Sequence, residues 1–162
     1  MAAHNDNWQL WLDENADRFL LFARQQTRCE SDAEDVLQDA LIETWKRAGH
    51  SAPPAALVYA TIRRRSIEVG RSYTRRELRE QSALPDQAWL EPDLGAGDDA
   101  RLLQSAISQL RFEYAEVLTL KIWGGLTFRA IAETLDIPQN TAASRYRYAI
   151  EDLRKCLKGV LQ

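Results

Sequence analysis

An acidic segment near the middle of the chain separates two halves that both carry a helical pattern. Residues 83–100 contain five Asp or Glu and no Lys or Arg, together with two of the five prolines. On either side, apolar residues recur at spacings of three and four, and the β-branched residues typical of strands are sparse. The 162 residues therefore predict an all-α protein, with two small helical bundles joined by a flexible acidic linker. We place the domains at 1–82 and 101–162, with the linker at 83–100.

The net charge of -3 hides two basic blocks. Residues 1–50 and the linker each carry a net charge of -5, whereas residues 51–82 carry +4 and residues 101–162 carry +3. Nucleic-acid binding depends on such local fields and not on the total charge. Either half could therefore offer a basic surface to DNA.

Composition and motifs exclude several classes of function. Cys29 and Cys156 are far apart and have no CxxC pattern or neighbouring His, so we expect neither a disulfide scaffold nor a metal site. The chain has no Ser/His/Asp set, glycine-rich phosphate loop or HExxH pattern, so we expect neither an enzyme nor a cofactor. No apolar run is long enough to span a membrane and no secretion signal is visible, which predicts a cytoplasmic protein.

The stretch LTFRAIAETLDIPQNTAASRYRYAIEDLRKCL predicts two helices joined by a tight turn. Thr127 is placed to cap the first helix. That helix should end before Pro138, because the residue before a proline is disfavoured in the helical region and proline itself suits the first turn of a new helix. One side of the second helix is apolar or aromatic and should pack: Ala142, Tyr146, Ala149 and Leu153. This pattern is typical of a helix-turn-helix.

The opposite side of the second helix is short, polar and cationic. It consists of Asn140, Ala143, Ser144 and Arg147, flanked by Arg145 and Tyr148. Small side chains let a helix approach base edges, while Asn can pair with adenine and Arg with guanine or phosphate. We therefore predict that this helix binds DNA. The alternative is an ordinary amphipathic hairpin whose outer face is only solvated.

A second motif, SDAEDVLQDALIETWKRA, predicts a helix with Ser31 and Asp32 in capping positions. Its buried side should contain Ala33, Val36, Leu37, Ala40, Leu41 and Trp45. Its other side should expose Ile42 among charged and polar residues, namely Asp35, Gln38, Asp39 and Lys46. A lone exposed hydrophobe usually carries no meaning, but this setting suggests an apolar anchor for a protein partner.

Both motifs resemble those of bacterial sigma factors of the extracytoplasmic-function (ECF) class, in the family's order. DAEDVLQDALIETW is similar to the polymerase-binding helix, in a region 2-like domain, and LTFRAIAETLDIPQNTAASRYRYAIEDLR resembles the promoter-binding region 4-like domain. The resemblance implies a factor that binds core RNA polymerase, directs it to specific promoters and aids their opening. It implies contacts with the β′ coiled coil and the β flap of the polymerase, with double-stranded promoter DNA and with the melted minus-ten strand. It leaves an anti-sigma factor open as a partner and implies no membrane.

The resemblance also implies roles for particular residues. Asp35, Gln38 and Asp39 match residues that grip the β′ coiled coil, with Ile42 beside them. The residues on the helix that meets the minus-ten element are Arg63, Arg64, Arg65, Glu68 and Arg71. The residues matching the minus-thirty-five contacts are Asn140, Ala143, Ser144, Arg145, Arg147 and Tyr148.

Several positions depart from the family pattern. Leu57 stands where Trp is usual, Arg64 replaces a common Asn and Glu68 a common Asp, and the loop GHSAPP is shorter than usual. Asn140 and Ala143 replace a typical Gly and a typical Lys or Arg, which predicts an unusual minus-thirty-five sequence. Two other interpretations stay open: a stand-alone helix-turn-helix regulator, and a sigma-like adaptor that binds polymerase without melting DNA.

Overall fold

The computed structural model describes residues 2–80 and 97–161, and within these ranges the chain is helical apart from short connections. The helices are α1 (Ala2–Gln26), α2 (Glu30–Arg47), α3 (Ala55–Glu80), α4 (Asp98–Ser108), α5 (Phe112–Ile122), α6 (Phe128–Leu135) and α7 (Gln139–Leu161). No strand occurs in the described ranges, and the all-α prediction is confirmed. Among the same residues, no helix combines the length and the apolarity that crossing a bilayer demands.

The helices form two compact units, unit 1 (Met1–Asp86) and unit 2 (Gln87–Gln162). The division falls inside the predicted linker, of which residues 83–96 lie outside the described part of the chain. The end of the predicted linker is helical, because α4 already begins at Asp98. Gly97 supplies the extended backbone before this helix, and the carboxylates of Asp98 and Asp99 lie in its first turn, where they suit the helix dipole.

Unit 1 is built from three helices, α1, α2 and α3, each of which packs against the other two. Tyr59 of α3 lies at the centre, with its ring edge-on to Phe19 at 5.0 Å and to Phe22 at 5.4 Å. Burial raises the pKa of Tyr59 to about 12. This aromatic core fixes which side of α2 and which side of α3 remain open to solvent.

The start of α2 differs from the sequence prediction. Cys29, in extended backbone, is the residue before the helix, and its carbonyl accepts a hydrogen bond from the Ala33 N–H at 3.0 Å. Ser31 and Asp32 are therefore inside the first turn and do not cap it. The cause is tertiary, because Arg24 of α1 binds Glu30 with an N–O distance of 2.7 Å and so holds Glu30 at the helix start.

The buried side of α2 also differs in part. Ala33, Val36 and Ala40 are buried as predicted, whereas Leu37, Leu41 and Trp45 are only half-buried. Thr44 is fully buried instead, with its hydroxyl donating to the Ala40 carbonyl at 2.8 Å. A threonine hydroxyl can form its hydrogen bond within its own helix, so the side chain can be buried in a core although it is polar.

Unit 2 is organised around α7, which packs against α4, α5 and α6. Its core includes Leu118, Ile131 and Ala149, which are fully buried. Two glycines make the turn between α5 and α6: Gly125 has φ +65°, and a Cβ on Gly124 would lie 2.5 Å from the Leu120 carbonyl oxygen. This close turn sets where α6 begins, and so places the helix pair α6 and α7.

Candidate nucleic-acid and protein interfaces

The outer side of α2 carries all four residues that the sequence assigned to protein docking. Asp35, Gln38, Asp39 and Ile42 are exposed, and Ile42 has 47% of its surface open to solvent. Their spacing of three and four places them along one face, opposite the buried Val36 and Ala40. The face has an apolar side chain at one end and two carboxylates beside it. It can therefore offer both an anchor and charge to a partner.

Glu43, the next residue after Ile42, binds two arginines of α3. One nitrogen of Arg64, Nη2, lies 2.5 Å from each carboxylate oxygen of Glu43, and Nε of Arg65 lies 3.0 Å from Oε2. Nη1 of Arg65 is also 3.8 Å from Oδ2 of Asp39. We call Glu43, Asp39, Arg64 and Arg65 the α2–α3 charge network. It joins the predicted protein-docking face to the predicted minus-ten helix.

The charge network shifts the pKa values of Glu43 and Arg64. The hydrogen bond from Arg64, helped by one from Arg65, lowers the pKa of the Glu43 carboxyl, although partial burial opposes the shift. The same hydrogen bond, which Arg64 donates to Glu43, raises the pKa of Arg64. The side chain of Glu43 is only 20% exposed, while that of Arg64 is 49% exposed. Glu43 is thus a fixed anion beneath partly accessible cations.

The sequence pattern predicts no role for Glu43, which lies between Ile42 and the buried Thr44. The sequence does contain a signal for this role, because a carboxylate on α2 that faces the three arginines Arg63–Arg65 is expected to form ion pairs with them. The signal could not be used without knowing which side of α3 turns toward α2.

The remaining residues of the predicted minus-ten set have different environments. Arg63 is half-buried, and its Nε is buried with no hydrogen-bond partner among the described residues. Glu68 is exposed one turn after Arg64. Arg71 also belongs to α3, but its side chain lies outside the described part of the structure. The structure therefore exposes Arg64 and Glu68 on the surface of α3, whereas Arg63 and Arg65 are both half-buried.

The connection from α2 to α3, residues 48–54, folds back on the end of α2. The His50 N–H donates to the Trp45 carbonyl at 3.0 Å, and the rings of His50 and Trp45 are 4.3 Å apart. The Ser51 hydroxyl donates to the Ala48 carbonyl at 2.6 Å, and Pro53 is buried. This connection is thus tied to α2 and does not extend outward as a long loop.

In unit 2 the helix-turn-helix has the predicted boundaries. The Thr127 side chain accepts a hydrogen bond from the Ala130 N–H at 3.1 Å at the start of α6. After Leu135 the chain turns at Asp136, which has φ +54°, and α7 begins immediately after Pro138. The Phe128 ring meets Tyr146 edge-on at 5.5 Å, which holds α6 against α7. The capping residue Thr127 and the proline Pro138 are therefore sufficient to predict the boundaries of these two helices.

The first half of α7 presents its predicted face to solvent. Ala142 and Ala149 are fully buried against the other helices, and Tyr146 is half-buried beside them. On the opposite side Asn140, Arg147 and Tyr148 are exposed, while Ala143, Ser144 and Arg145 are half-buried. An exposed face of small, polar and cationic side chains at the start of a helix suits entry into a DNA major groove.

Tyr114 of α5 and Arg111, the residue before α5, extend this face, and neither residue is predicted from the sequence pattern. The Arg147 guanidinium carbon lies 5.3 Å from the centroid of the Tyr148 ring, and Tyr148 lies 6.0 Å from the ring of Tyr114. Arg111 in turn lies 5.4 Å from the Tyr114 centroid. The side chain of Tyr148 is thus braced from a neighbouring helix.

Among the described residues, no cluster of three or more His, Cys, Asp or Glu could hold a metal ion.

Comparison with known proteins gives consistent matches over most of the chain. The family model for sigma-70, region 4 matches residues 100–153, which include the helix-turn-helix. The ECF RNA polymerase sigma factor SigL of Mycobacterium tuberculosis is 32% identical over 154 residues, which cover 90% of this chain and 86% of SigL. SigK of Mycobacterium bovis is 30% identical over 134 residues, covering 77% of this chain and 72% of SigK.

The fold also matches a solved structure. The sigma factor RpoE of Bartonella quintana, crystallised in complex with the anti-sigma factor NepR, aligns with a TM-score of 0.70 at 21% sequence identity. The alignment covers 93% of this chain and 94% of RpoE.

Proposed function

Since the chain belongs to the ECF class of RNA polymerase sigma factors, which direct polymerase to promoters, we propose that three of its surfaces divide this work. The outer face of α2 binds core polymerase, α3 contacts the minus-ten element, and the exposed face of α7 binds the minus-thirty-five element. We further propose that the chain acts in the cytoplasm and that it has no enzymatic activity of its own.

The observation that carries this proposal is the two-sided character of α7. Its packing side is filled by Ala142, Ala149 and Leu153, so the opposite side has no part in the core. That opposite side bears Asn140 and Arg147, whose side chains can form hydrogen bonds with base edges in the major groove. Arg145 and Tyr148 flank them and suit contacts with the DNA backbone.

Docking to polymerase is proposed for Asp35, Gln38, Asp39 and Ile42. An apolar side chain surrounded by polar groups is the usual arrangement of an interface anchor, since the surrounding groups exclude water from it. The two carboxylates predict that the partner surface is cationic, and we propose the β′ coiled coil as that surface. The β flap is proposed as a second contact, with unit 2, where Phe112 and Ile122 are exposed apolar side chains.

Promoter opening is proposed to depend on α3. Arg64 and Arg65 are accessible cations that can meet the phosphates of the melted minus-ten strand, together with Arg63, Glu68 and Arg71. The connection 48–54 is tied back to α2, so we propose that α3, and not this connection, makes the main contacts with the melted strand. An anti-sigma factor is a further proposed partner, because RpoE was crystallised with one.

Footprinting of the holoenzyme tests the division of work. Core polymerase and the full chain would be incubated with a pool of genomic fragments. The retained fragments would be mapped with hydroxyl radicals for protection and with permanganate, which oxidises unpaired thymines, for melting. We expect two protected elements on one fragment, about two helical turns or ~70 Å apart. Palindromic sites bound equally well without polymerase would instead indicate a stand-alone regulator. Retained fragments without reactive, unpaired bases near the minus-ten element would indicate an adaptor that does not melt DNA.

A further inference from the structure

We propose that Glu43 is a positioning residue that competes with DNA phosphates for Arg64 and Arg65, and thereby sets the affinity of unit 1 for promoter DNA. The inference rests on the proposed function in one respect, which is that these arginines face the minus-ten region. It adds a determinant of DNA affinity, Glu43, that lies on α2, the helix proposed to bind polymerase.

The geometry makes the competition direct. Arg64 turns one nitrogen, Nη2, toward both oxygens of Glu43, and Arg65 turns its Nε to one of them. A phosphate group offers the same chemistry, namely paired anionic oxygens that accept N–H donors of a guanidinium. While Glu43 holds these nitrogens, they cannot donate in the same geometry to DNA.

The ion pairs of Glu43 with Arg64 and Arg65 form in the free protein, but they are weak enough for DNA phosphates to displace Glu43. Glu43 is mostly covered and its pKa is lowered by the two arginines, so it stays ionised at neutral pH. Arg64 is about half exposed, and ion pairs of such exposure contribute little stability. Phosphates can therefore displace Glu43, and we expect that removing its charge tightens DNA binding by about two- to five-fold.

Asp39 places a second carboxylate on Arg65, at 3.8 Å. Because Asp39 belongs to the proposed polymerase-binding face, docking would draw it toward the polymerase and leave Glu43 as the carboxylate that still holds Arg65. The effect of Glu43 should therefore persist in the holoenzyme, which is the form that meets promoter DNA.

The test compares Glu43→Gln with Glu34→Gln, in the full chain bound to core polymerase. Glu34 is an exposed carboxylate on the same helix, so both variants lose one negative charge from α2. The probe is a fluorescein-labelled DNA duplex of random sequence with a short unpaired bubble, because phosphate contacts are independent of sequence. We expect Glu43→Gln to bind about two- to five-fold more tightly at low salt. Glu34→Gln should stay close to the wild type.

The combined variant Arg64→Gln/Arg65→Gln separates the inference from the proposed function. With both arginines replaced, Glu43→Gln should no longer change the affinity. Glu43→Asp keeps the charge but shortens the side chain, so it should give part of the gain and serves if Glu43→Gln fails to fold.

Three results would overturn the inference: folded Glu43→Gln that binds no more tightly than the wild type, an equal gain in Glu34→Gln, or a gain that survives loss of both arginines. If the double arginine variant binds DNA as well as the wild type, the minus-ten assignment itself fails. If that variant binds poorly and Glu43→Gln brings no gain, only the inference about Glu43 fails.

Discussion

Arg147 and Tyr148 form a cation–π pair on the exposed face of α7, with the guanidinium carbon 5.3 Å from the ring centroid. Tyr148 is braced by Tyr114 of α5, 6.0 Å away, so the pair rests on a second helix. A long, flexible arginine side chain thereby has a preferred position before DNA arrives. This lowers the entropy that Arg147 would lose on binding.

Replacing Arg147 with Ala should weaken binding to the minus-thirty-five element. If Arg147 contacts a base, the loss should be ~1–3 kcal/mol with relaxed specificity at one position. If it contacts a phosphate, all sequences should weaken alike and the salt slope should fall by about one. The measurement is holoenzyme affinity for a set of single-base promoter variants at several salt concentrations. Arg154→Ala removes an exposed cation farther along the same helix and should leave binding unchanged.

Changing the outer face of α2 should weaken polymerase binding without unfolding the chain. Asp39→Arg reverses a charge at the proposed interface, and Ile42→Glu replaces its apolar anchor with a carboxylate. Both side chains are exposed, so the helical circular dichroism signal should be retained. Affinity for core polymerase, measured by fluorescence anisotropy, should fall by at least tenfold, or ~1.4 kcal/mol. Wild-type affinity in both folded variants would place the docking face elsewhere.

The ion pairs of Glu43 predict a pH dependence of stability. The arginines hold its pKa below the ordinary 4.5 in the folded protein. A lowered pKa means that the stabilisation is fully present above pH 4.5 and is lost as the pH falls through the folded value. Thermal unfolding of the wild type and Glu43→Gln should therefore differ most near neutral pH and converge in acid. A difference that stays constant down to pH ~3 would contradict the assigned ion pairs.

The double-glycine turn before α6 predicts an order of stabilities. Gly124→Ala places a Cβ 2.5 Å from a backbone oxygen that cannot move freely, and should cost ~1–3 kcal/mol. Gly125→Ala meets no atom within 4 Å but must adopt φ +65°, which costs ~1–2 kcal/mol. Gly159→Ala, in α7 with open space around it, should stabilise by ~0.5–1 kcal/mol. Urea unfolding should place Gly159→Ala above the wild type in stability and both Gly124→Ala and Gly125→Ala below it. A turn variant as stable as the wild type would contradict the assigned turn geometry.

The parts of this structure that sequence predicts are those fixed by neighbouring residues. Thr127 and Pro138 act within one turn of their own position, and so the boundaries of α6 and α7 are correct. The start of α2 lies at Glu30, which binds Arg24 across a helix connection, and the capping role that the sequence predicts for Ser31 is therefore wrong. The Glu43–Arg64 pair joins residues 21 positions apart, and helical periodicity carries no information about such partners.

Run-off transcription by core polymerase on the retained genomic fragments, with the wild-type chain or with Ile42→Glu, measures directly whether the chain directs polymerase to promoters. We expect discrete transcripts with the wild-type chain, each beginning a fixed distance downstream of the two protected elements. Ile42→Glu should remove most of them, while Arg147→Ala should reduce them according to the minus-thirty-five sequence. Transcripts that are identical with and without the wild-type chain would show that the chain does not direct core polymerase to these promoters.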